Sequence, residues 1–418
     1  MKIITTYMLM VCLLVISMLT TTHAQEQDPL DKYLIIGAEN NNELQSLFMR
    51  YHAALERIPQ AKSLPDPLVM FNIFVSPIET RIGAQRAGIS LNQAFPWFGQ
   101  LKSQEQVSIN RAKAIYEGFR DAKNKLFFEI KSTYYDAYFL EAAITITEEN
   151  ITLIESFSEL ANIKLESGRG SAVDLIRIDM DLAELNNQLS LLIDSREPLH
   201  SRFNELLNTD SIKSIDFPDT LMNATLEDSR EVLYDSILQN NPSLARIEYD
   251  ILSYESGIQA AEKMGLPSFN LGLSYTFISP RNDIDVPDNG KDAIIFPSIG
   301  VRLPLYRKKY QAMVKEQGYL KSGKLEEKEA RGERLLTALE KTWRDYRDAT
   351  RRIGLYQNLS TLANQSLEIL VTEYTTAGQD FEELLRMDRQ LLRYELELEK
   401  AKADQHIQFA YINYLTGK

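Results

Sequence analysis

The segment from Ser268 to Ser279, SFNLGLSYTFIS, alternates between apolar residues and small or polar ones. The apolar positions are Phe269, Leu271, Leu273, Tyr275 and Phe277, and those between them are Asn270, Gly272, Ser274 and Thr276. This two-residue period predicts a β-strand with one apolar face and one hydrated face. Most of the chain instead has the pattern of long polar helices, so the fold depends on what this apolar face contacts.

Composition limits the classes of protein that the chain can belong to. The 418 residues carry a net charge of -13, and 25% of them are charged, which argues against a general nucleic-acid binder. After the N-terminus there is no apolar run of about 18 residues, the length that a membrane-spanning helix needs. The length allows two or three ordinary domains.

The first residues have the pattern of a secretory signal peptide. A basic Met1-Lys2 start, an apolar stretch over about 7–19 and the small-residue site Thr22-His23-Ala24 predict cleavage after residue 24. The alternative is a membrane anchor, for which the apolar stretch is short. The single cysteine, Cys12, lies within this leader, so the exported chain would have neither a disulfide nor a thiol nucleophile.

The chain contains an internal repeat at an offset of 209 residues. GSAVDLIRIDMDL, from Gly170 to Leu182, aligns with QDFEELLRMDRQL, from Gln379 to Leu391. Apolar residues in both copies step by three and four, as along the seam of a coiled coil. Any two long helices share such spacing, but the common Leu-Leu-Arg-Met-Asp type block favours duplication. We therefore predict two tandem repeats, over 25–218 and 219–418.

Both repeats have the same predicted order of elements: a short helix, a Leu-Pro, two strands, a long helix, a glycine-containing turn and a second helix. In the first repeat the strands occupy about 68–75 and 87–95 and the helices about 102–207. In the second repeat the strands occupy 268–279 and 294–305 and the helices about 308–416. Polar loops are predicted over about 76–84 and 280–293. A helix of about 65 residues would extend roughly 100 Å.

The four strands are too few to enclose a pore. An open sheet has unpaired edges that hydrocarbon does not tolerate, and membrane barrels have about eight strands or more. If the strands span a membrane, several copies must combine them into one barrel, with the apolar face towards lipid. Phe95, Trp97 and Phe98 would then form an aromatic girdle at the interface. The alternative, a soluble sandwich, is disfavoured because helices separate the strand pairs by roughly 170 residues.

A set of short motifs recurs in order along nearly the whole mature chain. They are Leu64-Pro65-Asp66-Pro67, GISLNQAFPWFGQL from Gly88 to Leu101, Asn241-Pro242-Ser243-Leu244, Gly265-Leu266-Pro267, Gly300-Val301-Arg302-Leu303-Pro304-Leu305, and the turns at 168–175 and 378–385. In this order they resemble the outer-membrane efflux proteins, of which TolC is the type member. The AFPWFGQL stretch is most similar to the heavy-metal efflux branch.

The resemblance implies an α+β fold in which a homotrimer forms a twelve-stranded β-barrel, four strands per chain, in the outer membrane of a Gram-negative bacterium. A long α-helical barrel would continue it into the periplasm, with an equatorial region from 208–230 and the chain ends. The implied partners are a periplasmic adaptor (membrane fusion) protein, an inner-membrane pump of the RND type and outer-membrane lipid. No cofactor is implied. Pro198 departs from the family's continuous helix and predicts a break there.

The resemblance also implies roles at the helix tips. Asp174 and Glu383 match the acidic residues that narrow the periplasmic entrance, and like charges held close together attract cations. Arg177 and Arg386 stand one turn later and are expected to pair with carboxylates across helices. Ser171 with Asp174, and Asp380 with Glu383, have capping-box spacing, so capping alone is an alternative role. The predicted adaptor-docking turns contain Gly168, Gly170, Ser171, Gly378 and Asp380.

Catalysis has little support in the sequence. The mature chain has only His52, His200 and His406, widely spaced, so neither a catalytic nor a metal site is predicted. No glycine-rich phosphate loop precedes a helix. The alternatives left open are a type I protein-secretion duct, which differs in cargo, and an exported structural coiled-coil protein without a conduit. The sequence does not decide the cargo.

Overall fold

The computed structural model describes residues 29–210, 214–294, 297–377 and 381–418. The expected leader, Gly378 and Asp380 lie outside these ranges. The helices are α1 Pro29–Asn40, α2 Asn42–Leu55, α3 Arg57–Lys62, α4 Gln100–Glu166, α5 Ala172–Asp194, α6 Arg196–Leu207, α7 Arg230–Asn240, α8 Pro242–Met264, α9 Arg307–Ala377 and α10 Phe381–Thr416. The strands are β1 Leu68–Thr80, β2 Gly83–Phe95, β3 Ser268–Ser279, β4 Ala293–Ile294 and β5 Ser298–Arg302.

Two helices dominate the length of the molecule. α4 has 67 residues and α9 has 71, so each extends roughly 100 Å. α5 and α6 run back along α4, and α10 runs back along α9. The described helices and strands therefore follow the predicted order in both halves, although the second half returns in one uninterrupted helix.

The returning helix of the first half is interrupted at Ser195, between α5 and α6. Pro198 lies three residues further on. Its nitrogen cannot donate to the carbonyl of Asp194, and its ring crowds that carbonyl. The break predicted from Pro198 is confirmed, and it falls one turn before the proline because the clash acts on the preceding turn.

The strands form one antiparallel sheet in the order β1-β2-β3, with β4 and β5 both paired to β3. The loop predicted over 76–84 is wrong, because β1 continues to Thr80 and β2 begins at Gly83. Pro77 suggested that loop, but a proline is tolerated on an edge strand at a register shift, and one occurs between Ile73 and Ile78. Within the predicted strand over 294–305, the structure describes β4, which ends at Ile294, and β5, Ser298–Arg302, both paired with β3, and residues 295 and 296 lie outside the described ranges.

The register gives the sheet one apolar face and one polar face. Phe71, Ile89 and Tyr275 are cross-strand partners, and so are Val69, Leu91 and Leu273. Directly paired residues point to the same side of a sheet. Most residues on the opposite side are small or polar, namely Asn72, Asn92, Gly88, Ser90, Asn270, Gly272, Ser274 and Thr276, and β1 adds Leu68 and Met70 at its start. The two-faced strand predicted from the sequence is confirmed and extends across the sheet.

The helical region holds three apolar cores. One surrounds Tyr33, Tyr134 and Phe203, and another surrounds Leu233, Ile237 and Leu339. The third lies where α4, α5, α9 and α10 converge, and it includes Phe381. The apolar face of the sheet belongs to none of these cores: Phe71 is 75% exposed and Ile73 81% exposed.

Candidate functional site

The turn between α4 and α5 forms a compact tip. Gly168 has φ +70°, a conformation that favours glycine. A β-carbon at Gly170 would lie 2.7 Å from the Leu165 nitrogen, so the turn accepts no side chain there. Ser171 caps α5, because its hydroxyl accepts a hydrogen bond from the Val173 N–H at 3.2 Å. The sequence rules for glycine and serine thus explain this tip.

Asp174 and Glu383 lie in the first turns of α5 and α10. Asp174 Oδ1 is 3.9 Å from the Arg177 guanidinium, and Arg177 also reaches across to Glu382 on α10, at 2.9 Å. Arg386 pairs within its own helix, with Nε 3.0 Å from Glu383 Oε2. Of the two predicted arginines, Arg177 is the one whose ion pair joins the two helices, through Glu382, a residue that the sequence pattern did not single out.

Lys164 and Tyr374 make a second link between the two hairpins. The Lys164 ammonium lies 4.1 Å from the centre of the Tyr374 ring and donates to the Tyr374 carbonyl. Burial and the negative charge of Asp174 raise the pKa of the Tyr374 phenol. Among the described residues this hydroxyl has no hydrogen-bond partner. Neither residue was predicted, because the pair lies outside the two aligned repeat segments and no local pattern links the lysine to the tyrosine.

A buried polar layer lies further along the hairpins. Asn150 on α4 donates to both carboxylate oxygens of Asp388 on α10, at 3.1 Å each. Beside them Arg389 binds Asp181 through two hydrogen bonds, of 2.6 and 3.1 Å. Asp388 is 1% exposed, and burial raises its pKa to about 6. The sequence offers one signal for this layer: Asp388 is a charged residue four positions after Leu384, within an otherwise apolar helix seam.

At the far end of α4, the three predicted interface aromatics meet the sheet. Trp97 stacks on Phe269 with ring centres 5.8 Å apart, and Phe98 lies 6.3 Å from the same ring. Phe95 pairs with Phe269 across the strands. The Phe98 side chain is 79% exposed. The structure therefore gathers these aromatics at one end of the apolar face.

The described residues include no helix with an apolar stretch long enough to cross a bilayer. Over the same ranges, no three His, Cys, Asp or Glu residues come close enough together to hold a metal ion.

A subunit with a two-faced antiparallel sheet at one end, and paired helices of roughly 100 Å that end in acidic tips, has the fold of the TolC-like outer-membrane channels. The resemblance seen in the sequence is confirmed. No family model matches the chain. It is 22% identical, over 294 residues, to the outer membrane efflux protein BepC of Brucella suis biovar 1 (strain 1330). That match covers 68% of this chain and 62% of the relative.

Solved structures agree on the fold. CusC, described as forming a transmembrane channel, superposes with a TM-score of 0.76 at 14% identity, covering 93% of this chain and 92% of its own. The outer membrane protein VceC of Vibrio cholerae gives a TM-score of 0.74 at 14% identity, covering 93% and 96%. Membership of the heavy-metal branch stays a prediction.

Proposed function

We propose that this chain is the outer-membrane channel of a tripartite efflux system, a passive trimeric exit duct that contains no catalytic site. The observation that carries the proposal is the apolar face shared by β1, β2, β3 and β5. A soluble protein would bury such a face, yet Phe71, Ile73 and Ile299 are 74–81% exposed. Contact with lipid explains this exposure, and the small polar residues opposite would line water.

Trimer formation follows from the edges of the sheet. β1 has a neighbour on one side only among the described strands, and β3 is followed by the short β4 and β5. Counting β4 and β5, which both pair with β3, as one strand gives four strands per chain. Three copies joined edge to edge would then contribute twelve strands, above the minimum of about eight for a closed membrane barrel. Closure removes every edge, as a bilayer requires.

The remaining partners are proposed from the position of the tips. The helices would place the Gly168 turn roughly 100 Å from the membrane, deep in the periplasm. There the turns, with Ser171 and the predicted Gly378 and Asp380, would dock a periplasmic adaptor that connects the duct to an inner-membrane pump, of the RND class.

A photo-crosslinking residue at the exposed Arg169 should capture the adaptor in cells, whereas one at Asp194 should not.

We propose that the tips also gate the duct. In a trimer Asp174 and Glu383 would place six carboxylates near one axis, which favours cations and raises a barrier to anions. Arg177 would hold the two hairpins of each chain together through Glu382. Capping alone remains the competing role for Asp174.

Single-channel conductance in planar bilayers tests both the duct and its gate. The wild type is expected to give a small, cation-preferring conductance. The double variant Asp174→Ala plus Glu383→Ala should conduct about twofold or more better, with weaker cation preference, because the charge ring is lost. Asp194→Ala is the control, since it removes an exposed carboxylate at the opposite end of α5.

The outcomes separate the competing readings. An unchanged conductance in the double variant would reject the gate and leave the channel intact. No conductance, together with a protein that stays soluble without detergent, would reject the duct in favour of a structural coiled-coil protein. A duct that conducts but carries only an exported polypeptide would point to type I secretion.

A further inference from the structure

An apolar cavity of about 450 Å³ opens at the end of the apolar sheet face, beside the start of α4. Its walls include Leu64, Phe95, Trp97, Phe98, Phe269 and Ile299. The last two belong to the apolar sheet face, so the cavity is continuous with the surface proposed to contact lipid. A cavity of this size and lining suits a flexible hydrocarbon chain.

A positive charge stands at the rim of this cavity. The Lys263 ammonium, at the end of α8, donates to the Gly99 carbonyl at 3.2 Å and to the Ser103 hydroxyl at 2.8 Å. Gly99 is itself part of the cavity wall. An ammonium group has three N–H donors, so these contacts position Lys263 and leave one donor for a ligand.

More basic residues surround this end of the sheet. The exposed Arg307, Lys308 and Lys309 form the first turn of α9. That turn packs beside the end of α8, since a β-carbon at Gly265 would lie 3.3 Å from Tyr310 Cβ. Basic side chains are thus concentrated in this region of a chain whose net charge is -13. An apolar cavity with Lys263 at its rim complements a molecule with an acyl chain and an anionic headgroup.

We propose that the cavity binds one acyl chain of an anionic phospholipid from the periplasmic leaflet, with its phosphate against Lys263. This inference rests on the proposed function, which places the end of β2 at the periplasmic boundary of the membrane. The bound lipid would occupy the junction between barrel and helices. The competing occupant is a neighbouring copy of this chain, which would exclude lipid from the cavity.

Tryptophan quenching tests the site directly. The chain has two tryptophans, Trp97 in the cavity wall and Trp343 on α9, against the Leu233 core. In a Trp343→Phe background, Trp97 reports alone on bromine atoms carried by acyl chains. In phosphatidylcholine vesicles, brominated phosphatidylglycerol should quench Trp97 at about one-fifth of the mole fraction needed for brominated phosphatidylcholine, the preference expected from one lysine near an anionic surface.

Variants at position 263 separate a lipid site from general contact with the bilayer. Lys263→Gln should reduce the preference for phosphatidylglycerol to about onefold, and Lys263→Arg should keep it. Equal quenching by both lipids in the wild type would overturn the headgroup assignment. Absence of quenching would overturn the site and indicate that a neighbouring copy covers it.

A second reporter distinguishes failure of this inference from failure of the proposed function. Leu273→Trp, in a chain that carries Trp97→Phe and Trp343→Phe, places the only tryptophan at the middle of the apolar sheet face. Quenching there, without quenching at Trp97, rejects the lipid site and retains the membrane channel. If neither tryptophan is quenched, the sheet does not face lipid.

Discussion

Arginine in place of Leu273 is expected to prevent assembly of the proposed outer-membrane trimer. Leu273 lies at the middle of β3 on the apolar face, and 52% of it is exposed in the single chain. An arginine on the lipid side of a barrel at the bilayer midplane costs about 2–4 kcal/mol. Three copies would cost about 6–12 kcal/mol per trimer. Outer-membrane fractionation and gel migration of the unheated trimer measure the loss.

Ser274→Arg is the matched control for this experiment. Ser274 is the next residue of the same strand and pairs with Ser90 on the polar face. The same added charge would then face water, so the trimer should form in normal yield with an altered conductance. Equal loss of assembly in both variants would show that position in the strand, and not the face, decides the outcome. Normal assembly of Leu273→Arg would exclude lipid contact at this face.

The local sequence predicts most of the sheet because a two-residue alternation specifies which side chains share a face. It predicts β3 with its observed ends. The predicted start of β1 and end of β2 agree with the structure, whereas the end of β1 and the start of β2 were missed. Pro77 indicated a loop, but an edge strand tolerates a proline because no neighbouring strand needs its missing N–H. Which strand occupies an edge is a property of the whole sheet, and no short segment of sequence contains it.

At the helix tips, too, the sequence predicts the local features and misses the contacts between helices. Glycine at positions 168 and 170 and serine at 171 act within a few residues of the chain, so their roles follow from local rules. The partners of the charged residues do not follow from such rules. Both Arg177 and Arg386 have an acidic residue three positions earlier, yet only Arg177 reaches the other hairpin. Helix-to-helix geometry decides this, and it is set by the core around Phe381.

The repeat predicts equivalent environments for Asp179 and Asp388, and the structure gives opposite ones. Asp179 on α5 is exposed, whereas Asp388 on α10 is buried against Asn150. The asymmetry arises because α10 lies against both α4 and α9, while α5 contacts mainly α4. Duplicated sequences can therefore share a seam and still differ in which polar residue the neighbouring helices cover.

Asparagine in place of Asp388 is expected to stabilise the tip region at neutral pH by about 3 kcal/mol. Burial raises the folded-state pKa of this carboxyl most, Asn150 and Arg389 lower it, and Asp181 raises it, with a net rise from 3.8 to about 6. Each pKa unit corresponds to about 1.4 kcal/mol. Asparagine removes the buried charge and keeps the size and shape of the side chain.

The substitution also improves hydrogen bonding. Asn150 Oδ1 is buried and has no partner among the described residues, because a carboxylate can only accept hydrogen bonds. The amide introduced by Asp388→Asn would offer a carbonyl to Asn150 Nδ2 and an N–H to Asn150 Oδ1. The two amides would then satisfy each other.

The sign of the pH dependence gives an independent check. The folded-state pKa of Asp388 is raised, so its contribution to stability is complete below pH about 4 and is lost as pH rises through about 6. Wild type should therefore weaken over this window, and Asp388→Asn should weaken much less. A smaller slope should persist in the variant, because burial and Glu149 also raise the pKa of Glu395.

Hydrogen exchange of the backbone amides over 384–392 at pH 7.5 measures this local stability in the purified, detergent-solubilised protein. Exchange limited by opening of this region should be about a hundredfold slower in Asp388→Asn than in wild type, the equivalent of about two pKa units. The exposed, repeat-related Asp179→Asn removes the same charge and should leave the exchange unchanged. Faster exchange in Asp388→Asn would contradict this prediction. It would show that the ionised carboxylate stabilises the contact between α10 and α4.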